Sequence, residues 1–279
     1  MTLSERNIVF KTGMVITFLS LLVCIAASVL IIPLYEKMGS EITHYSNSLF
    51  RTFSGNFLNS NLLAAHICIM VLVLFSFLSI IFIYYFFEKT QSGEILFVYF
   101  FSASFTFEIL RLILPIIQVY EIPSMYLLGA FRIIFFGRYF GIFSLFVASV
   151  FAVGYKSQGL RYLIILILVV TLIIAFGIPV DTDTGKLDSS LNMIKGYASL
   201  ISLIEMGTFL ITTINFFIAV WIRSNREFVF VGIGSVLVFL GRGILLSADN
   251  WLGPPLGLAC LAAGTWLICA NLHKIYLWY

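Results

Sequence analysis

Eight apolar runs, each about long enough to cross a bilayer, follow one another along this chain. A helix needs about 20 mainly apolar residues to span the hydrocarbon core, where no water is available to satisfy backbone amides. The runs are Thr12–Pro33, Leu62–Phe87, Ile95–Val119, Met125–Val153, Tyr162–Pro179, Tyr197–Ile222, Phe228–Ala248 and Gly253–Leu272. Their connections are too short to bury a core of their own. The sequence therefore predicts an all-α, polytopic membrane helix bundle, with residues 1–279 forming a single transmembrane domain. Charged residues make up only 10% of the chain. Soluble domains carry roughly 25%, so lipid must be the solvent for most of these side chains. A seven-span version would lose the last run, which opens with Pro254 and Pro255. Prolines suit the first turn of a helix, which favours eight. The first run follows Arg6 and Lys11 as a signal peptide would, but it is too long and no clear cleavage site follows.

Basic residues orient the bundle. With the N-terminus inside, the inner segments carry Arg6, Lys11, Lys89, Lys156, Arg161, Arg223, Arg226 and Lys274. The outer segments carry Lys37, Arg51, Lys186 and Lys195. This bias predicts both termini in the cytoplasm and a multi-pass protein of the cell membrane. His273, Lys274 and Trp278 read as anchors at the inner interface. Two outer connections have content of their own. Between Tyr35 and Asn61, Phe50, Phe53 and Phe57 recur at helical spacing, as in an amphipathic helix lying in the interface. Between Val180 and Lys195, DTDTGKLD opens like a calcium loop but lacks the downstream bidentate Glu, so a solvated turn is expected.

Charge inside the spans carries the chemistry. Glu108, Arg111, Arg132, Arg138, Glu205 and Arg242 interrupt apolar runs, and Asp249 stands at the outer edge of the seventh. Facing lipid at a helix centre, each would cost at least ~2.5 kcal/mol, so such residues turn inward and find partners. At about 1.5 Å per residue, Arg111, Arg132, Glu205 and Arg242 fall roughly 9–12 Å below the outer boundary, with Glu108 and Arg138 near the midplane. Helical phase groups them with other polar residues. Ser104, Glu108, Arg111 and Pro115 share one face, as do Ser202, Glu205, Thr208, Thr212 and Asn215, and also Ser235, Arg242 and Asp249. Arg138 and Tyr139 sit within GRYFG, a GxxxG step that allows close helix approach.

Four arginines against two glutamates leave a formal +2, or +1 with Asp249. Guanidinium pairs bidentately with carboxylate or phosphate. The excess points to an outward-facing pocket for a small anion or a phospholipid head group. The alternatives are interhelical ion pairs such as Glu108–Arg138 and Glu205–Arg242, or Arg132 and Arg242 snorkelling toward head groups.

Other chemistries find little footing. Cys24, Cys68, Cys260 and Cys269 lie in apolar runs without CxxC spacing, and His66 reads as a satisfied polar contact. HExxH and GxSxG are absent, no lysine lies mid-span for retinal, and His66 is the one embedded histidine, too few for facing haem ligands. No cofactor and no metal site are expected. No basic run with aromatics suggests nucleic acid. The sequence thus favours a receptor-like or sensor-like module whose partners are membrane lipids and a small anionic ligand. The chain ends shortly after the last run, in HKIYLWY, so signalling would call for a protein partner at the cytoplasmic face. A small-solute transporter, an enzyme modifying lipid head groups and a structural subunit are the rival readings. No catalytic motif decides for an enzyme.

Overall fold

Apolar length becomes helix in every expected run. The computed structural model describes residues 3–42, 61–88, 90, 92–120, 122–154, 159–178, 190–192 and 198–277. The expected interfacial helix around Phe50, Phe53 and Phe57, the DTDTGKLD segment and Trp278 lie outside the described residues. The helices are α1 (Leu3–Ile42), α2 (Leu62–Phe87), α3 (Gly93–Ser104), α4 (Leu110–Val119), α5 (Ser124–Val153), α6 (Leu160–Gly177), α7 (Ala198–Arg223), α8 (Glu227–Ser247) and α9 (Gly253–Leu277). Among the described residues, eight spans are long and apolar enough to cross a membrane, one of them made of α3 and α4 together. The chain is a polytopic membrane helix bundle. Inner and outer denote its two ends as the basic residues orient them.

The third span is not one continuous α-helix. Phe105–Ile109 winds as a 3-10 helix between α3 and α4. The cause is local. Ser104 Oγ donates to the Phe101 carbonyl oxygen at 2.7 Å, and Thr106 Oγ1 to that of Ala103, also at 2.7 Å. Ser76 of α2 donates to the Ser102 carbonyl oxygen at 2.7 Å. Three neighbouring carbonyls are thus taken by hydroxyls, which draws the backbone away from regular α-helical bonding. A tighter winding eclipses residues three apart. The expected common face of Ser104, Glu108, Arg111 and Pro115 is therefore re-phased at its middle.

α5 is the most enclosed span, with 72% of its apolar window buried, against 17% for α7 and 22% for α6. α3 and α5 form the centre, and α6 and α7 each pack on α5 while turning most of their surface to lipid. The GRYFG step works as small residues do in membranes. A Cβ at Gly137 would run into the Phe107 side chain, and one at Gly141 into the Ser104 hydroxyl. A closer approach joins α8 to α9. A Cβ at Gly241 would stand 2.7 Å from the Leu261 amide nitrogen and 2.8 Å from the Gly257 carbonyl oxygen. One at Gly264 would stand 2.7 Å from the Gly234 carbonyl oxygen. Gly234 and Gly241, and Gly257 and Gly264, recur at seven residues, so one glycine stripe per helix faces the other.

Candidate functional site

A carboxylate deep in the bundle organises the outer half. Glu108, on the 3-10 segment, is 2% exposed. Arg138 of α5 grips it in a fork: Nε donates to Oε1 at 2.6 Å and Nη2 to Oε2 at 2.8 Å. Arg111 adds Nη1 to Oε2 at 3.2 Å. That last bond joins residues three apart, which the tighter winding around Glu108 eclipses. One carboxylate thus answers two guanidinium groups, both inside the protein.

Backbone carbonyls and one amide take the Nη donors that remain, while Arg111 Nε stays buried without a hydrogen-bond partner among the described residues. The connection between α6 and α7 folds inward at Ser190–Asn192, and Ser190 and Leu191 are buried. Arg111 Nη2 donates to the Ser190 carbonyl oxygen, and at 3.3 Å to that of Leu246 near the end of α8. Arg138 Nη2 donates to Asn192 Oδ1 at 2.7 Å. Asn192 Nδ2 in turn donates to Ser190 Oγ at 2.8 Å and to the Leu246 carbonyl oxygen at 3.0 Å. Leu191 takes φ of +57° to make this turn. For a residue with a side chain, that left-handed conformation costs on the order of 1–3 kcal/mol, and it persists because surrounding contacts over-determine it.

Arg242 of α8 sits against this network but outside the fork. It is 4% exposed, and its hydrogen bond is a long one, Nη2 to the Arg138 carbonyl oxygen at 3.4 Å. Glu205 of α7 lies within electrostatic range of Arg138, Tyr139 and Arg242. No ion pair within 4.0 Å joins Glu205 to Arg242, whereas the Glu108–Arg138 pair is closed. The Tyr139 hydroxyl is buried with no hydrogen-bond partner among the described residues.

One of the seven candidates, Arg132, stands elsewhere. Arg132 donates Nη1 to the Ala175 carbonyl oxygen at 2.6 Å and to that of Ile178, and its guanidinium lies 6.0 Å from the Phe176 ring centre. It caps the outer, C-terminal end of α6, where a cation offsets the partial negative charge of unpaired carbonyls. Asp249 is in the turn between α8 and α9, and its carbonyl oxygen accepts from the Asn61 amide at 2.6 Å. The structure therefore gathers Glu108, Arg111, Arg138, Arg242 and Glu205 and places Arg132 at the end of α6, while Asp249 lies within electrostatic range of Cys68, as Arg111 does. Arg132→Gln is expected to lower stability by about 1 kcal/mol, the scale of a helix-end cation. Thermal unfolding in detergent, alongside Arg138→Gln, checks it: the second loss should be several times larger.

Capping by arginine recurs at the inner end. Arg6 of α1 donates Nη2 to the Phe87 carbonyl oxygen at 2.9 Å and to that of Glu88 at 2.7 Å, closing α2. Arg223 of α7 donates to the Phe151 carbonyl oxygen at 2.7 Å, closing α5. Arg223 also faces Glu94 at 3.5 Å. Glu94 is buried and accepts from Tyr276 Oη at 2.6 Å and from Ser92 Oγ at 2.8 Å. This second polar node ties α3, α5, α7 and α9 together. It was hard to read from the sequence, because Glu94 stands at a span end, where charge is ordinary. Its clue was Ser92, a helix N-cap two residues before an acid.

His66 shares a 2.9 Å hydrogen bond with Ser28 of α1, in keeping with a satisfied polar contact. The cysteines are free. Comparison with protein-family models, with curated proteins and with solved structures gives no match to this chain.

Proposed function

We propose that this chain is a receptor-like membrane module that holds an oxyanion, a phosphate or carboxylate group, in its outer half at Arg242, beside Tyr139 and Glu205. One observation carries the reading: Arg242 is almost fully enclosed yet has a single long hydrogen bond. Charge supports it. Arg111, Arg138 and Arg242 against Glu108 and Glu205 give three minus two, a formal +1 within one neighbourhood. A buried guanidinium with no carboxylate within 4.0 Å pays a large desolvation penalty, which a bidentate oxyanion offsets. The unpartnered Tyr139 hydroxyl supplies a further donor. Glu108 is saturated by its two arginines, so its role is to fix Arg138 and, through the Arg138 backbone, the place of Arg242. As a sensor, the module would pass ligand occupancy to a protein partner at its inner end.

The oxyanion could belong to a lipid head group or to a soluble metabolite, and native mass spectrometry separates the two by mass. Wild type is expected to retain an anionic adduct, Arg132→Gln to retain it and Arg242→Gln to lose it. A bare wild type, or an Arg242→Gln variant that keeps the adduct, sinks the proposal. A second reading rests on the helix-capping arginines, Arg6, Arg132 and Arg223, which show how readily this fold uses guanidinium as a packing device. On that reading Arg242→Gln lowers stability and no adduct is found in any variant.

A further inference from the structure

α7 is the span most open to lipid, yet it carries a polar face that does not look at lipid. Glu205, Thr208, Thr212 and Asn215 follow at steps of three, four and three residues, so they line one side of the helix. Thr212 is fully buried. Asn215 Nδ2 donates to Ser149 Oγ of α5 at 3.2 Å, so this face looks toward α5. Ser149 and Arg138 are eleven residues apart on α5, again on one side. Phe209 of α7 packs on Phe239 of α8, with ring centres 4.9 Å apart. One turn below Phe209 is Thr213, whose hydroxyl oxygen is buried without a partner. The buried Ser235 lies one turn further inward than Phe239 on α8.

These residues line the faces that α7 turns toward α5 and α8, a seam between a polar group at the outer end and one at the inner end. At its outer end is Glu205 with Arg138, Tyr139 and Arg242. At its inner end, past Asn215 and Ser149, is Arg223 on the Phe151 carbonyl oxygen and then Glu94, with Tyr276 and Ser92. Thr208, Thr212, Ser149 and Ser235 each donate their hydroxyl proton to a carbonyl of their own helix. A hydroxyl so bound still has lone pairs to accept from water. Among the described residues the Tyr139 and Thr213 hydroxyls have no partner, and buried polar atoms of that kind are the usual hosts of internal water.

We propose that this seam is a hydrated proton pathway, with Glu205 as its outer and Glu94 as its inner carboxylate. Glu205 takes a proton from the outer side. Waters and hydroxyls along the seam relay it, each oxygen accepting one proton as it releases another. Glu94 receives the last and gives it up to the inner aqueous phase. One proton crosses, and no other bond is changed. Arg223 does not bar the inner end, because the Phe151 carbonyl oxygen holds its guanidinium aside and Glu94 balances its charge between proton passages. The proposal does not require an anion at Arg242.

The test reconstitutes the whole chain in vesicles enclosing a pH-sensitive dye, with valinomycin and potassium setting the potential. Wild type is expected to dissipate an imposed potential by proton flux. Asn215→Leu, which breaks the middle of the seam, should fall to the leak of protein-free vesicles, while Asn215→Ser keeps the flux. Equal elution profiles and helix content for the two variants exclude misfolding as the cause. Wild-type vesicles no leakier than empty ones, or an Asn215→Leu variant as fast as wild type, overturn the pathway. The adduct measured by native mass spectrometry is read separately, so either proposal can fail while the other stands.

Discussion

Glu108→Gln is expected to be the most damaging single change in the chain, costing about 3–5 kcal/mol, the loss that follows when one member of a buried ion pair is removed. The value lies at the upper end because two guanidinium groups, on Arg111 and Arg138, lose the same counter-charge. Neither can turn to water, since both are inside the bundle. Unfolding in mixed micelles by increasing SDS, followed by far-UV circular dichroism, measures the cost. The diagnostic comparison is the double variant Glu108→Gln/Arg138→Met, which removes charge from both sides of the fork. It should recover at least half of the loss. A double variant as unstable as the single would mean that shape, and not charge, holds this centre together.

The second large effect lies where α8 meets α9. Gly241→Ala and Gly264→Ala each place a methyl group against backbone atoms of the facing helix, none of which can rotate away. The helices must separate, at a cost of about 3 kcal/mol, the upper range for overpacking. Gly243→Ala is the control. Its Cβ would meet nothing within 4 Å, so the substitution should be neutral or stabilise α8 by up to about 1 kcal/mol through helix propensity. Thermal shift in one detergent for all three variants reads this directly. If all three behaved alike, the close approach of α8 and α9 would not be a feature of the molecule.

The membrane bundle was legible because hydropathy over twenty residues is a bulk property that neighbouring helices do not alter. The site was less so, for geometric reasons. Depth along a span follows from residue number, but the direction a side chain takes around the bundle does not. Arg132 and Arg242 fall at similar depth, and one ends on the carbonyls of α6 while the other reaches the carbonyl of Arg138. Depth alone could not tell a helix cap from a member of the cluster. The inward fold at Ser190–Asn192 was equally hidden, since a polar connection between two spans reads as solvated. The glycine repeats at seven residues on α8 and α9 were visible, and two facing stripes with equal spacing were the better packing signal than the single GxxxG step on α5. α6 leaves most of its apolar window exposed, yet α7 is the more exposed of the two despite its polar face.

The Glu108–Arg111 contact also bears on how the chain enters the membrane during synthesis. Glu108 reaches the translocon 30 residues before Arg138, its strongest partner. At about 5–20 residues per second, that leaves a wait on the order of seconds. A lone carboxylate released toward lipid over that interval would oppose insertion of the third span. Arg111 lies three residues away and emerges almost together with it, so the segment enters as a charge-neutral unit. The bond that is weaker by geometry in the finished bundle is the earlier one in time, and it lets the stronger one form.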